Sequence, residues 1–396
     1  MFSLDFPIFV YALAASSTIS ALLFALMTFG KLKRVMRRSL TDGKLSMPKD
    51  EAFPSVSIIV HDDARAWNLI ELLPRLLEQD YPAETEVIVV NDGSKSAAEE
   101  VIARLEGRYS NLYMTFLPEQ SRNLSRRKLA VMLGVKAARY DMVILIGGNC
   151  MVDSPMWLRA MMRHATRGKQ LIIGWAYPSL TPNPQNVRTS GGRCRSFDII
   201  RTAIQYLAWG AARHPWRANG NNLAFSRELF YNNRGYASTL NLMRGDDDIW
   251  IKEVATKDNC AVELSPESMI AVMDDDQVTT HRLDKLSHEF TSRRPGRAAR
   301  WTSALASWAW WGWMASGAAC AIYGMPSLIP LIYVAVISLV LCIPYMVRWR
   351  RVSSRLHGRK LFLLVPWFTT WHPLYALLYK LRSLSRRREN YTAGRL

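Results

Sequence analysis

Apolar and polar positions divide this chain into two kinds of stretch. Ile8 to Gly30 is apolar over the ~20 residues a bilayer requires, and Lys31, Lys33, Arg34, Arg37 and Arg38 follow at once. Ala304 to Tyr323 is rich in Trp and Ala and stops before Pro326. Leu328 to Val347 is rich in Ile, Leu and Val and runs into Arg348, Arg350, Arg351, Arg355, Arg359 and Lys360. A last apolar stretch, Leu361 to Tyr379, is interrupted by Pro366, His372 and Pro373 and has basic residues on both sides. Between these stretches the pattern is that of a folded domain. Val56 to Val60 reads as an apolar strand, Leu69 to Leu77 as an amphipathic helix and Glu86 to Val90 as the next strand, a βαβ unit with parallel strands. A helix over Ala97 to Leu105, a strand over Tyr113 to Leu117, a basic helix over Arg126 to Ala138 and a strand over Met142 to Ile146 continue a doubly wound alternation. Beyond Trp157 the pattern is less regular: a strand over Leu171 to Trp175, a polar loop over Thr189 to Ser196 and a helix over Ile199 to Trp209.

The expected organisation is a transmembrane helix (1–30), a basic cytosolic linker (31–52), an α/β domain (53–295), an interfacial segment with two transmembrane helices (296–347), and a basic C-terminal part (348–396). That last part holds a re-entrant, interfacial or third spanning segment. No basic residue precedes the first apolar run as a secretory signal demands, so it reads as a retained span. Positive charge on the inner side puts the main domain in the cytoplasm of a multi-pass cell-membrane protein.

Composition narrows the function classes. The formal charge is +18, but the basic residues gather beside the apolar runs, so the expected partner is membrane lipid and not nucleic acid. Five cysteines without C-x-x-C spacing indicate neither a zinc site nor a disulfide framework. The spans hold few ionisable groups, which disfavours a transporter or channel.

Two strings carry candidate chemistry. Val87 to Ser94 reads Val-Ile-Val-Val-Asn-Asp-Gly-Ser, a buried strand presenting one carboxylate, Asp92, where open α/β sheets bind nucleotides. Asn-Asp-Gly is also ordinary turn chemistry. Gly245-Asp246-Asp247-Asp248 leads into a helix-like segment, where an acidic run also suits the helix dipole without any catalysis. His61-Asp62-Asp63 and Asp274-Asp275-Asp276 read as solvated loops, and His281 and His288 are too far apart in sequence to argue a pair.

The strand Val56 to Val60, the string Leu76-Leu77-Glu78-Gln79-Asp80-Tyr81-Pro82 and the Asp92 string resemble the membrane-bound, inverting family 2 glycosyltransferases. So do Ser154-Pro155-Met156-Trp157-Leu158, Asn221-Asn222-Leu223-Ala224-Phe225 and the Asp246 run, in the same order. The resemblance covers about Pro54 to Asp275, and the layout is similar to that of cellulose and hyaluronan synthases. It implies an α/β GT-A fold, Rossmann-like with a mostly parallel sheet, plus transmembrane helices. It also implies a nucleotide-sugar donor, a glycan or lipid-linked acceptor, a role in polysaccharide biosynthesis, and Mg²⁺ or Mn²⁺. By position, Asp92 would hydrogen-bond the base, with Asn149 and Lys128 also at the nucleotide. Asp247, with Asp246 beside it, would be the general base that removes the acceptor proton. Asn221, Asn222, Arg300 and Trp301 would line the acceptor side, where amides suit sugar hydroxyls.

Three departures accompany the matches. The family places an Asp-x-Asp pair after the fourth strand to bind the cation on the diphosphate; this chain has Gly147-Gly148-Asn149-Cys150, so no metal ligand is assigned. Ala64-Arg65 stands where Asn-Glu is common, and Arg297-Ala298-Ala299-Arg300-Trp301 lacks the Gln of Gln-x-x-Arg-Trp. Either cationic side chains such as Arg65, Lys128, Arg297 and Arg300 replace the metal, or the chain is a pseudo-glycosyltransferase that serves as partner subunit of an active synthase.

Overall fold

The computed structural model describes residues 6–61, 68–91, 97–118, 124–179, 190–273, 277–291, 296–385 and 391–392. Asp62, Asp63, Ala64, Arg65, Asp92 and Asp274 to Asp276 lie outside the described residues. The chain forms two compact units: Met1–Met36 with Ser190–Ala208 and Arg297–Leu378, and Arg37–Thr189 with Trp209–Gly296 and Tyr379–Leu396. The second of these units holds the α/β elements and takes in residues 37–52 and 379–396 besides most of 53–295.

After a long first helix, α1 (Ile8–Asp42), the soluble unit alternates β1 (Val56–His61), α2 (Leu69–Leu77), β2 (Thr85–Asn91), α3 (Ala97–Glu106), β3 (Leu112–Phe116), α4 (Arg126–Ala137) and β4 (Met142–Gly147). The less regular half adds β5 (Cys150–Met151), α5 (Trp157–Met162), β6 (Leu171–Ile173) and β7 (Ala176–Pro178). Past α6 (Ser190–Ala211) come β8 (Leu223–Ser226), α7 (Arg227–Asn232), α8 (Ile249–Val254), β9 (Cys260–Val262), β10 (Ile270–Val272) and α9 (Gln277–Thr291).

Seven strands join in the order β3-β2-β1-β4-β8-β6-β9, and β5-β10-β7 form a smaller sheet. The first four are parallel to their neighbours, whereas β8 runs antiparallel to both β4 and β6. This is the mixed α/β, mostly parallel sheet that the alternation predicts. Every residue of β1 and β4 is buried, as a sheet covered on both faces requires, which is why these strands read as unbroken Val/Ile/Leu runs. The apolar face of α2, Leu69, Leu72, Leu73 and Leu76, is fully buried against them. The chain steps outward from β1 through β2 to β3 and then returns to the other side of β1 as β4. The sheet thus has a topological switch point between β1 and β4, where α/β sheets open a crevice for ligands. His61 and Gly147 end the two strands in register.

Two elements differ from the sequence expectation. The strand over Leu171 to Trp175 stops at Ile173, because Asn222 takes over its hydrogen bonds: Gly174 N donates to Asn222 O, and Asn222 Nδ2 donates to Trp175 O. The polar loop over Thr189 to Ser196 is instead helical from Ser190, in line with a buried stripe of Phe197, Ile200, Ala203, Ile204 and Leu207 along α6. Polar first turns cost such a helix little when its later turns bury one face.

The other unit contains most of α1 and α6, all of α10 (Arg297–Tyr323) and α11 (Ile329–Arg355), and α12 (Val365–Ser385) as far as Leu378. Arg297 to Trp301 form the first turns of α10. Two helices, α1 and α11, are long and apolar enough to cross a membrane, with mean hydropathy 1.9 and 2.3 over their most apolar windows. Only 22% and 17% of those windows is buried, unlike the core helix of a soluble protein. Aromatic rings lock this unit internally: Phe24 lies 4.7 Å from Trp310 and 5.3 Å from Tyr345, and Phe197 stacks on Trp349 at 4.7 Å.

α4 sits unusually close to β1. A Cβ at Gly134 would come within 2.5 Å of Ile59 Cγ2, so only glycine allows the contact. Gly134→Ala is expected to cost about 1–3 kcal/mol by overpacking. Ile59→Ala in the same chain is expected to recover part of the loss, read as the thermal unfolding midpoint in detergent.

Candidate active site

The switch point is built from the ends of β1 and β4. His61 is 6% exposed and its Nε2 is buried without a hydrogen-bond partner. Burial, with Arg127 adding to it, lowers the His61 pKa to about 3, so the imidazole is neutral. Asn149 and Asn221 converge on the same spot. A Cβ on Gly147 would lie 2.8 Å from Asn149 Oδ1, 3.2 Å from Asn221 Oδ1 and 3.2 Å from His61 Cε1. Where the resemblance expects two carboxylates, this chain packs two amides and a neutral imidazole around a glycine.

The acidic run stands beside this spot. Gly245, at φ +116°, takes a backbone conformation that L side chains rarely adopt and turns the chain into the three aspartates. Asp248 caps α8, its Oδ1 accepting from Ile249 N at 2.7 Å, so the helix-end reading holds for this residue. Its Oδ2 accepts from Thr291 Oγ1 and lies 3.4 Å from His288 Nδ1. Asp246 accepts from Arg127 Nε at 2.9 Å, and Arg127 also reaches Asn221 Oδ1 at 3.2 Å. Burial pushes the Asp246 carboxyl up, but Arg127, Arg244 and Lys128 outweigh it and hold it down at about 2. Asp247 behaves differently. Burial raises its pKa above the ordinary carboxylate value, His288 works against the rise and Asp246 works with it. The Asp247 side chain is 13% exposed, His288 Nε2 lies 3.9 Å from its Oδ2, and its Oδ1 has no hydrogen-bond partner. Of the three, Asp247 alone combines a raised pKa with an unengaged oxygen, the properties a general base needs.

The other expected site residues divide. Asn149 and Asn221 lie at the switch point, and Asp246 and Asp247 beside it. Lys128 does not face a nucleotide: it is fully buried and donates to Thr239 O at 2.6 Å and Arg244 O at 3.0 Å. An ammonium so enclosed is spent on the loop that leads into the acidic run. Asn222 is likewise a core residue and not an acceptor contact. It accepts from Trp157 Nε1 at 3.3 Å and donates to Trp175 O and Ser268 O at 3.0 and 2.8 Å. Arg300 and Trp301 belong to the helical unit, with Trp301 75% exposed on α10. Asp92 and Arg65 lie outside the described residues. Arg127 is not singled out by the sequence. His61, read there as part of a solvated loop, is buried at the end of β1, and His288 lies against Asp248 and not in a pair with His281.

Among the described residues no carboxylate stands at the end of β4 itself, and Asp62, Asp63 and Asp92, which follow β1 and β2, lie outside them. Among the described residues, Asp247, Asp248 and His288 have ligand atoms within 4.8 Å of one another and could share one. Both Asp248 oxygens are already engaged, so as the group stands it fixes Asp247 in place.

Residues 55–248 match the family model described as Glycosyl transferase family 2. The match starts one residue before β1 and ends on Asp248, so it spans the switch point and the acidic run. A mannosyltransferase, PcManGT, from Pyrobaculum calidifontis, solved with GDP-Man and Mn²⁺, is similar in fold. The two chains share 18% identity with TM-score 0.55, over 92% of this chain and 99% of that one. Comparison with curated proteins gives no match. Together these show a GT-A-like α/β fold, with the stretch from β1 to Asp248 similar to family 2 glycosyltransferases.

Arg127→Ala would remove the guanidinium bonded to buried Asp246, leaving only the more distant charges of Arg244 and Lys128, and is expected to cost about 3 kcal/mol. Arg127→Ala with Asp246→Asn is expected to cost less than the sum of the single changes, by chemical denaturation. Because Asp246 is depressed, its share of stability is present above the ordinary ~3.9 and is lost as pH falls toward about 2. In Arg127→Ala that loss is expected to begin at higher pH.

Proposed function

We propose that this chain is a membrane-bound, inverting glycosyltransferase that moves a sugar from a nucleotide-sugar to a glycan or lipid-linked acceptor. Asp247 takes the proton of the attacking hydroxyl. The observation that carries the reading is the buried, raised and unengaged Asp247 carboxylate beside the switch point, inside the stretch that matches the family. As the acceptor oxygen attacks the anomeric carbon from the face opposite the nucleotide, its proton passes to Asp247 and the diphosphate departs. Arg127, fixed by Asp246 and Asn221, brings a guanidinium to the place where relatives use carboxylates and a cation. His61 and Asn149 offer neutral polar atoms to the donor. Asp92 is assigned the nucleotide base by resemblance. α1 and α11 cross a cell membrane as part of a multi-pass anchor, and the α/β unit lies in the cytoplasm, in keeping with the basic residues after each span.

A specific observation favours a second reading. Asn149, Asn221 and His61 crowd the end of β4, which suits a chain that keeps the fold but serves as partner subunit to an active synthase. Titration of the purified protein with GDP, the nucleotide of the fold neighbour's donor, and with UDP, with and without Mn²⁺, separates the two. Nucleotide binding that is lost in Asp92→Ala supports the enzyme; its absence under every condition supports the subunit.

For the enzyme, Asp247→Asn is expected to lower turnover by roughly 10²–10⁴-fold while leaving nucleotide affinity within a few-fold. The acid limb of kcat/KM should lie above the ordinary carboxylate range, with activity present above that pKa and lost as pH falls through it. His288→Gln, which removes the group that lowers the Asp247 pKa, is expected to move the limb to still higher pH. An unmoved limb would argue that another residue is the base.

A further inference from the structure

The helical unit encloses a cavity of about 50 Å³ whose lining includes Lys31 of α1, Arg201 and Gln205 of α6, Ser303 and Ser307 of α10 and Tyr345 of α11. At ~10–15 Å³ per water, that volume admits three or four waters or one tetrahedral oxyanion. Among the described residues no carboxylate lines it. Among the described residues neither Lys31 nor Arg201 has an ion pair; each makes one long contact to a hydroxyl, Lys31 Nζ to Ser303 Oγ and Arg201 Nη2 to Ser307 Oγ, both at 3.4 Å. Asp198, one turn before Arg201, bonds His372 at 2.9 Å and does not line the cavity. Asp198 is the one carboxylate whose charge acts on Arg201, and two half-buried cations sharing it remain unfavourable, a cost that an anion between them lowers.

Depth identifies the anion. Lys31 is the first basic residue after the apolar run of α1, and Tyr345 lies three residues before Arg348, which opens the basic end of α11. Both helices therefore place the cavity where apolar surface gives way to a basic collar, the level at which lipid phosphates lie. Two cations in a space for one phosphate match a phosphomonoester, which carries about −1.5 to −2 charges at neutral pH, better than a singly charged phosphodiester.

We propose that this cavity is a binding site for the terminal phosphate of an anionic lipid, held by Lys31 and Arg201 with Gln205, Ser303 and Ser307 as further polar partners. None of these residues belongs to the Asp247 site. The proposal rests on the membrane reading of α1 and α11.

The test is titration of the detergent-purified full chain with short-chain phosphatidic acid, short-chain phosphatidylglycerol and inorganic phosphate. Saturable 1:1 binding of phosphatidic acid is expected, about tenfold tighter than phosphatidylglycerol, and weakened about tenfold or more by Lys31→Gln or Arg201→Gln. Inorganic phosphate binding as tightly, with the same dependence on both residues, would overturn the lipid as source. Phosphatidic acid binding that ignores both substitutions, or no binding, would overturn the site. Arg201→Lys and Ser307→Ala, expected to weaken binding about threefold, carry the same test where Arg201→Gln folds poorly. Flotation with neutral phosphatidylcholine vesicles checks the membrane reading separately: a chain that does not float fails that reading, whereas one that floats but does not bind phosphatidic acid fails only the proposal.

Discussion

The first turn of α4 is the constraint on which the candidate site depends. Its two adjacent cations point different ways and do different jobs. Lys128 turns inward and gathers the carbonyls of Thr239 and Arg244, which fixes the loop that delivers the three aspartates. Arg127 turns toward the sheet edge and ties Asp246 to Asn221. Neither could do so if α4 stood off the sheet by the thickness of a methyl group, which is why the Gly134 contact with Ile59 bears on chemistry and not only on packing. The route runs from a glycine in a helix, through close helix–sheet packing, to the ionisation of a carboxylate.

The same arrangement gives the missing carboxylates a physical setting. The acidic run already has Arg127 and Lys128 against it, with Arg244 nearby and itself paired to Asp284, so its charge is close to balanced by the protein's own cations. Two further carboxylates at Gly147 and Asn149 would leave an excess of negative charge in a buried pocket, which only a bound cation would relieve. A neutral His61, two amides and a glycine keep the balance instead. The neutral groups at the end of β4 and the cations of α4 thus belong to one electrostatic arrangement.

Much of the sheet was legible because strands buried on both faces become continuous Val/Ile runs of strand length, and the helices between them keep a 3.6-residue period. The acidic run was legible because its three members are consecutive. Its partners were not: Arg127 is 119 residues from Asp246 and His288 is 40 from Asp248, and no local pattern joins residues across such distances. The two misplacements have a shared cause. Lys128 and Arg127 are neighbours on a helix, about 100° apart, and Asn222 and Asn221 are neighbours on the approach to a strand, so a one-residue shift exchanges site for core. Resemblance points to a pair each time; only packing says which member is enclosed in the core. The early start of α6 was hidden by Gly191 and Gly192, whose propensities speak against a helix.

Composition alone does not tell a structural cluster from a reactive one, and this chain holds an example of each. Asp42, His164 and Glu263 bring ligand atoms as close together as do Asp247, Asp248 and His288. In the first group Arg163 forks onto both oxygens of Glu263, and Arg38 bonds Asp42 at 2.9 Å. Burial pushes Glu263 up, but His164 and Arg163 hold it down at about 2, so it stays ionised and serves as a staple. In the second group no guanidinium is bonded to Asp247, and burial beside two other carboxylates pushes it the opposite way. Asp42 in the first group resembles Asp247 more than Glu263: burial and Glu263 outweigh Arg38 and raise it to about 7, and its Oδ1 also has no hydrogen-bond partner. A bonded guanidinium alone therefore does not keep a buried carboxyl low, and what sets Asp247 apart from Asp42 is its place beside the switch point.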